Sequence, residues 1–127
     1  MQEKHLFEYA IVRLVPCVER EEFVNVGVVV YCREKQYLKS KFELNEVRVR
    51  AICSDVDLNE VREHLRSFEQ ICTGGESAGP IGKLPAGERF RWLTAPRSTI
   101  VQTSPVHTGL SIDVQETLNT LLAKMVR

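Results

Sequence analysis

The most strongly patterned segment of the chain is Phe23 to Cys32, with the sequence FVNVGVVVYC. Valine dominates this segment, and β-branched side chains favour extended backbone. Because successive side chains of a strand point to opposite faces, every second residue from Val24 to Cys32 shares one face, which we predict to be the core face. Gly27 lies on the other face, where a glycine often marks the close approach of another group. We expect Trp92 to be that group.

Strand-like segments also flank Phe23 to Cys32 on both sides. Phe7 to Val15 precedes it, and Tyr37 to Leu44 follows it after a charged four-residue turn. Short connections of this kind join antiparallel neighbours, so the sequence predicts a three-strand meander. A short fourth strand is predicted at Ser98 to Thr103, and the proline that follows at Pro105 favours an edge position for it.

Capping signals and apolar stripes predict helices in the remaining segments. Asp57 to Cys72 begins with a D-x-x-E capping signature and repeats apolar residues at helical spacing, and a second helix begins at Asp113 in the same way. Pro85 to Thr94 is predicted to form a short helix, as is Asn45 to Ile52, for which a strand is the alternative. Strands followed by helices predict one α+β domain over residues 1–127. Its small antiparallel sheet, the meander plus a short fourth strand, has the helices mainly on one face.

The charges of the chain are balanced. Seventeen basic and seventeen acidic residues give a formal net charge of zero, so no global field attracts nucleic acid. The longest apolar run, Val26 to Cys32, is much shorter than the roughly 18 residues of a membrane span. The polar N-terminal residues Met1 to His5 lead straight into a strand pattern without an apolar signal region. We therefore expect a cytoplasmic protein with no membrane partner.

The usual sequence motifs of catalytic and cofactor sites are absent. The loop Gly79 to Lys83 lacks the first glycine and the final Ser or Thr of a phosphate-binding P-loop, and no G-x-G-x-x-G fingerprint occurs. The four cysteines form no C-x-x-C pair and the three histidines lie on separate predicted elements, so we predict neither a cofactor nor a metal. Cys17 and His107 have no third group to orient them as nucleophile and base, so Cys17 is interpreted as a loop cysteine.

The segment from Arg89 to His107, RFRWLTAPRSTIVQTSPVH, contains the only tryptophan of the chain and three arginines. Guanidinium groups bind carboxylate or phosphate, and Trp92 offers a face for stacking. These residue types indicate a binding segment. The alternative is structural, with Phe90, Trp92 and Leu93 as core residues that the arginines cover. For the binding interpretation we expect four side chains to converge on one shallow pocket: Arg13, Asn25, Arg91 and Arg97.

Three motifs stand out together: Glu8-Tyr9-Ala10, the run EFVNVGVV from Glu22, and RFRWLTAPRSTIVQTSPVHTGL from Arg89. The chain resembles, over nearly its full length, an uncharacterised bacterial family defined only as a domain of unknown function. In many actinobacterial genomes such genes stand beside a gene for a kinase similar to the HipA toxin, so the resemblance implies a kinase-like partner. It implies no activity. The candidate binding residues are Arg13, Glu22, Asn25, Arg89, Arg91, Trp92, Arg97, Gln102 and His107.

The lack of a catalytic constellation favours a small protein-interaction or regulatory module that modulates the kinase-like partner through Arg89 to His107. The alternative is an enzyme or binder for a phosphorylated or nucleotide ligand, with Arg91 and Arg97 holding the anion and Glu22 or His107 as acid or base. Nucleic-acid binding is the least favoured alternative, because the chain has no net charge and no known binding motif. The sequence carries no signal of oligomeric state.

Overall fold

The structure, a computed structural model, describes residues 3–127. Within this range the sheet has five strands: β1 (His5–Leu14), β2 (Val24–Cys32), β3 (Tyr37–Phe42), β4 (Val101–Thr103) and β5 (His107–Ser111). All pairings are antiparallel. β1, β2 and β3 form the predicted meander, while β4 and β5 both pair with the other side of β1. The α+β class, the meander and the short fourth strand are therefore confirmed.

The edge strand beside β1 is broken into two parts. β4 pairs with Val12–Leu14, and β5 pairs with His5–Tyr9. Between them, the Ser104 N–H donates to the Ile11 carbonyl oxygen and the Ser104 hydroxyl oxygen accepts from the Ile11 N–H, each at 2.9 Å. The chain therefore continues along β1 past Pro105, whereas the predicted strand ended at Thr103. β5 was not predicted, because its residues HTGLS include a glycine and lack an apolar alternation.

Four α-helices occur in the described range: α1 (Glu46–Ile52), α2 (Leu58–Thr73), α3 (Ala86–Thr94) and α4 (Val114–Met125). Side chains of Asn45, Asp57 and Asp113 cap α1, α2 and α4, each accepting backbone N–H groups at 3.1–3.2 Å. The helices predicted from these caps are confirmed. None of the described helices is long and apolar enough to cross a membrane. Short 3₁₀ helices lie at Val18–Arg20, Glu76–Ala78 and Pro80–Lys83.

Helices cover both faces of the sheet. α1, α2 and α3 pack on one face and share a core that includes Phe90, whereas α4 packs on the other face against Val28 and Val30. Most helices thus lie on one side, as predicted. However, the prediction that only one face of β2 belongs to the core is wrong, since Val29 and Tyr31 are buried beneath α2 and α3. β2 is a central strand with a helix layer on each side.

The close approach expected at Gly27 comes from the neighbouring strand. A Cβ atom at Gly27 would collide with the ring of Phe42 and lie 2.6 Å from the carbonyl oxygen of Lys41. Both residues belong to β3. The expectation that Trp92 packs over Gly27 is therefore wrong. Trp92 lies on α3 and is 40% exposed.

Candidate functional site

A cleft of about 700 Å³ opens between the first turns of α3 and the sheet. We call it the α3 cleft. Its volume lies within the roughly 300–1,000 Å³ that is typical of ligand-binding clefts. The residues that shape it are Leu6 and Glu8 of β1, Tyr31 of β2, Gly87 and Arg91 of α3, and Thr108 of β5.

Close contact between α3 and β2 forms the floor of the α3 cleft. The rings of Tyr31 and Phe90 stack with their centroids 5.3 Å apart. Gly87 permits this approach, because a Cβ atom at this position would lie 2.8 Å from the Tyr31 hydroxyl oxygen. Tyr31 is only 9% exposed, yet its hydroxyl has no hydrogen-bond partner among residues 3–127. The hydroxyl therefore offers a donor and an acceptor to an occupant of the cleft.

Two exposed leucines form an apolar rim beside the α3 cleft. Leu6 of β1 and Leu110 of β5 are cross-strand neighbours, and they are 58% and 65% exposed. Strand alternation places them on the same face as Glu8 and Thr108, which line the cleft. α3 crosses the sheet at Tyr31 and leaves this pair of leucines uncovered. We call Leu6 and Leu110 the apolar rim.

The α3 cleft contains charges of both signs. The Arg91 guanidinium forms an ion pair with the Glu8 carboxylate, with nitrogen and oxygen 2.9 Å apart. Arg33, Glu34 and Glu88 also line the cleft. Three carboxylates and two guanidiniums leave no excess of positive charge. Arg91 therefore belongs to the cleft, but its guanidinium already has an acidic partner.

A smaller groove of about 170 Å³ lies between α2, α3 and β4. Trp92 and Arg97 line it together with His64 and Thr99, and we call it the Trp92 groove. The Arg97 guanidinium carbon lies 4.3 Å from the Trp92 ring centroid, and the guanidinium also donates to the Trp92 carbonyl oxygen. Trp92 and Arg97 thus form a stacked pair on the surface.

A family model described as "Protein of unknown function (DUF3037)" matches residues 9–126. The chain belongs to this family. The predicted membership in a family of unknown function is confirmed. The matched range contains the whole Trp92 groove and all of the α3 cleft except Leu6 and Glu8. No curated protein and no solved structure matches the chain.

In this DUF3037 chain, Arg89 ties α3 to the end of α2. Its Nη1 donates to the carbonyl oxygens of Ile71 (2.7 Å) and Cys72 (2.6 Å), and its Nε donates to that of Leu84 (2.9 Å). The last carbonyls of a helix lack intrahelical partners, and the helix dipole favours a cation beside them. Arg89 therefore caps α2 and is a structural residue.

The other residues of α3 divide between the core and the surface. Phe90 and Leu93 are buried, as the structural interpretation of the segment predicts. Arg91 lines the α3 cleft and Trp92 lines the Trp92 groove. α3 is thus a packing element that directs Arg91 and Trp92 to different surfaces.

Arg13 and Asn25 lie on the face of the sheet that α4 covers. They are cross-strand partners just after a register shift in the β1–β2 pairing. The Asn25 side-chain amide donates to the Met125 carbonyl oxygen at the end of α4, at 3.0 Å. The Arg13 guanidinium carbon lies 4.2 Å from the Phe23 ring centroid. Both residues therefore help to seat α4 and the β1–β2 loop.

The four side chains expected to share one pocket occupy three separate places. Arg91 lies in the α3 cleft, Arg97 lies in the Trp92 groove, and the other two, Arg13 and Asn25, lie beside α4. The expected convergence is not found. It assumed that the strands present one polar face, but this DUF3037 sheet is covered on both sides. Arg91 on α3 and Arg97 in the loop after α3 also face different surfaces.

The remaining candidates lie apart from the α3 cleft. Glu22 forms an ion pair with Arg20 in the loop after β1, at 2.6 Å. The Gln102 amide, on β4, donates to the Thr99 carbonyl oxygen in the preceding loop, at 2.8 Å. The His107 ring stacks near Tyr9, with centroids 5.3 Å apart. Neither Glu22 nor His107 lines the α3 cleft or the Trp92 groove, so the expected acid and base do not meet the expected anion-binding arginines.

Cys17 lies beside Cys53 and not beside His107. The Cys53 thiol donates to an Asp55 carboxylate oxygen at 3.2 Å. This hydrogen bond, together with desolvation and the neighbouring Cys17, raises the pKa of Cys53 to about 11. A thiol with a raised pKa stays protonated at neutral pH and is a poor nucleophile. The geometry gives a nucleophilic Cys17 and His107 pair no support.

Of the residues that form the α3 cleft and the apolar rim, sequence reasoning identified Arg91 and missed the others. Leu6, Tyr31 and Leu110 are apolar or aromatic residues of strands, where core packing is the usual expectation. Gly87 could have been recognised from the sequence. A glycine inside a helix costs about 1 kcal/mol relative to alanine and usually has a packing reason. That signal predicts a close contact but not its partner, Tyr31.

Proposed function

We propose that this protein is a protein-interaction module that binds a partner polypeptide at the α3 cleft. The observation that carries the proposal is the apolar rim, where Leu6 and Leu110 are more than half exposed side by side at the mouth of a formed cleft. Exposed apolar surface bordered by polar groups is typical of interaction sites. Tyr31 supports the proposal, because tyrosines combine an apolar ring with a polar tip and are enriched at interfaces.

The lining favours a partner segment that presents an apolar side chain next to a polar or charged group. The apolar side chain would cover Leu6 and Leu110, and the polar group would meet the Tyr31 hydroxyl. Glu88 forms no ion pair within the described range and offers a carboxylate to a basic group. Glu8 is paired with Arg91 and Glu34 contacts His5, so the cleft also offers the Arg33 guanidinium, which forms no ion pair within residues 3–127, to an acidic group.

We extend the proposal to a kinase similar to HipA as the partner. Support for this identity comes from the gene neighbourhood that the sequence resemblance implies. In this proposal a segment of the kinase would occupy the α3 cleft. Binding there would regulate the kinase by contact, as expected of a module without a catalytic cluster.

A phosphorylated or nucleotide ligand receives less support. The Trp92 groove has suitable residue types, with Arg97 stacked on an exposed tryptophan. However, its volume of about 170 Å³ is below the roughly 300–1,000 Å³ of small-molecule sites. Arg91, the second arginine expected to hold an anion, lies in the other cleft and is paired with Glu8.

Isothermal titration calorimetry of the protein with a purified HipA-like kinase tests the proposed function. Leu6→Ser removes half of the apolar rim and is expected to weaken binding by about tenfold. Tyr31→Phe keeps the ring stacked on Phe90 and removes only the hydroxyl. It is expected to weaken binding by about three- to tenfold, the usual effect of one lost hydrogen bond.

Val47→Ser is the matched control, because Val47 is an exposed apolar residue on α1, outside the α3 cleft. It should bind like the wild type. If both cleft variants bind the kinase as tightly as Val47→Ser does, the α3 cleft is not the binding site. If the wild-type protein does not bind the kinase, the assignment of the partner is wrong.

A further inference from the structure

The two edges of the sheet differ in charge. β3, at one edge, carries Lys39 and Lys41. The other edge consists of β4 and β5, and the chain contains no Lys, Arg, Asp or Glu from Ser98 to Ile112. Lysines on an edge strand oppose pairing with a strand of another molecule. The β5 edge lacks this protection, although 27% of the chain is charged.

The outer side of β5 carries unpaired backbone groups. In an antiparallel ladder, successive residues alternate between bonding to the neighbouring strand and facing away from it. The Ile11 N–H and carbonyl groups bond to Ser104 at this edge of β1. Every second residue of β1 bonds on the same side as Ile11, so Phe7 directs its backbone groups towards β5. Its partner is Gly109, whose backbone groups therefore face β1. Thr108 and Leu110 therefore direct theirs outwards, where no residue of the described part of the chain accepts or donates.

We propose that β5 pairs antiparallel with β5 of a second copy of the chain, about a two-fold axis that passes beside Gly109. In this register Thr108 lies opposite Leu110 of the second copy, and the two residues exchange backbone hydrogen bonds. The two-fold symmetry repeats this pair on the other side of the axis. All outward N–H and carbonyl groups of Thr108 and Leu110 are then satisfied.

Charge and side-chain pattern favour a second copy over an unrelated protein. The formal net charge is zero, so two copies do not repel each other. The edge is uncharged throughout, so self-pairing places no like charges opposite each other. The side chains that face each other across the pair are also compatible. Val106 of one copy lies opposite Ile112 of the other, and Thr108 lies opposite Leu110. The exposed side chains of Leu110 and Ile112 both gain contacts in this arrangement.

Pairing at β5 leaves the α3 cleft open. Tyr31 lies on β2, and β1 separates it from the β5 edge. In the paired sheet both clefts open on the same face. The pairing therefore goes beyond the partner binding proposed above. Leu110 also belongs to the apolar rim, so Leu110→Lys is expected to weaken kinase binding as well as pairing, whereas Tyr31→Phe should change kinase binding alone.

Size-exclusion chromatography with multi-angle light scattering on the whole chain tests the pairing. The wild-type protein is expected to have twice the single-copy mass of 14.5 kDa. Leu110→Lys places a charge on the edge, and Thr108→Pro removes an N–H group that bonds to nothing within residues 3–127. Both variants are expected to run at the single-copy mass, with a dimer dissociation constant raised about tenfold or more.

Val47→Lys, which places the same charge on an 80% exposed residue of α1, is the control and should keep the doubled mass. Circular dichroism checks that each variant is folded. If Thr108→Pro proves to be unfolded, the surface substitution Leu110→Lys alone provides the test. The proposed pairing is wrong if the wild-type protein has the single-copy mass. It is also wrong if a folded Leu110→Lys variant keeps the doubled mass. Tyr31→Phe should keep the doubled mass even where it weakens kinase binding.

Discussion

Tyr31 serves both the core and the α3 cleft. Its ring is buried against Phe90, while its hydroxyl lines the cleft without a partner among residues 3–127. The sequence predicted the strand that carries Tyr31 but assigned the residue to the face outside the core. The face that is buried depends on which helices cover the sheet, and a local alternation does not contain that information. Arg91 was predictable as a surface residue, because guanidinium groups are rarely buried without a partner.

Because the Cys72 thiol is buried, we predict that the protein loses stability at alkaline pH. Burial raises the pKa of this thiol from 9.0 to about 11. Above pH 9 the unfolded chain therefore loses a proton that the folded chain keeps. The stability that depends on this group is complete below pH 9 and is lost as the pH rises towards 11, at up to about 1.4 kcal/mol per pH unit. The melting temperature of the wild type, followed by circular dichroism, should fall more steeply over this range than that of Cys72→Ala.

Val47→Ala is the control for this pH dependence, because Val47 is 80% exposed on α1 and has no titratable group. Its melting temperature should follow the wild-type slope. If the wild type and Cys72→Ala lose stability in parallel between pH 9 and 11, burial of the Cys72 thiol does not set the alkaline limit.

At the scale of elements, consecutive residues of α3 have different structural roles. A helix turns by about 100° per residue, so four consecutive side chains point in four directions. Arg89 caps α2, Phe90 enters the core, Arg91 lines the α3 cleft and Trp92 lines the Trp92 groove. One short helix thus packs on the sheet, caps the C-terminal end of α2 and lines both the α3 cleft and the Trp92 groove.

Replacement of Arg89 should destabilise the fold much more than replacement of Arg91. Arg89→Ala removes charge-assisted hydrogen bonds to the carbonyl oxygens of Ile71, Cys72 and Leu84. We expect a loss of about 2–3 kcal/mol in the free energy of unfolding, measured by urea denaturation. Arg91→Ala breaks an exposed ion pair and should cost at most about 1 kcal/mol. Equal losses in the two variants would show that Arg89 is not a structural cap.

Elements with local signals were predicted well, and elements that depend on partners were not. Asn45, Asp57 and Asp113 are capping residues whose hydrogen bonds form within one turn, so the sequence alone indicates where their helices begin. β5 depends instead on β1, more than ninety residues away in the chain, and on Ser104, which bridges the break at Pro105. No local pattern in HTGLS indicates this pairing.

At the scale of the whole molecule, one corner of the sheet stays open. α4 covers one face and α1 to α3 cover most of the other. The open corner combines the apolar rim of Leu6 and Leu110, the α3 cleft and the uncharged β5 edge. The α+β class followed from the order of strands and helices. The position of the corner did not, because it depends on where α3 crosses the sheet.

The central claim is that a partner protein binds at the α3 cleft. Nuclear magnetic resonance titration of the isotope-labelled protein with unlabelled HipA-like kinase tests it most directly, because each backbone amide reports its own surroundings. We predict that the amide signals of Leu6, Tyr31, Gly87 and Arg91 shift or broaden, while those of Trp92 and α4 keep their positions. Changes centred on the Trp92 groove or on α4, or no changes at all, would contradict the claim.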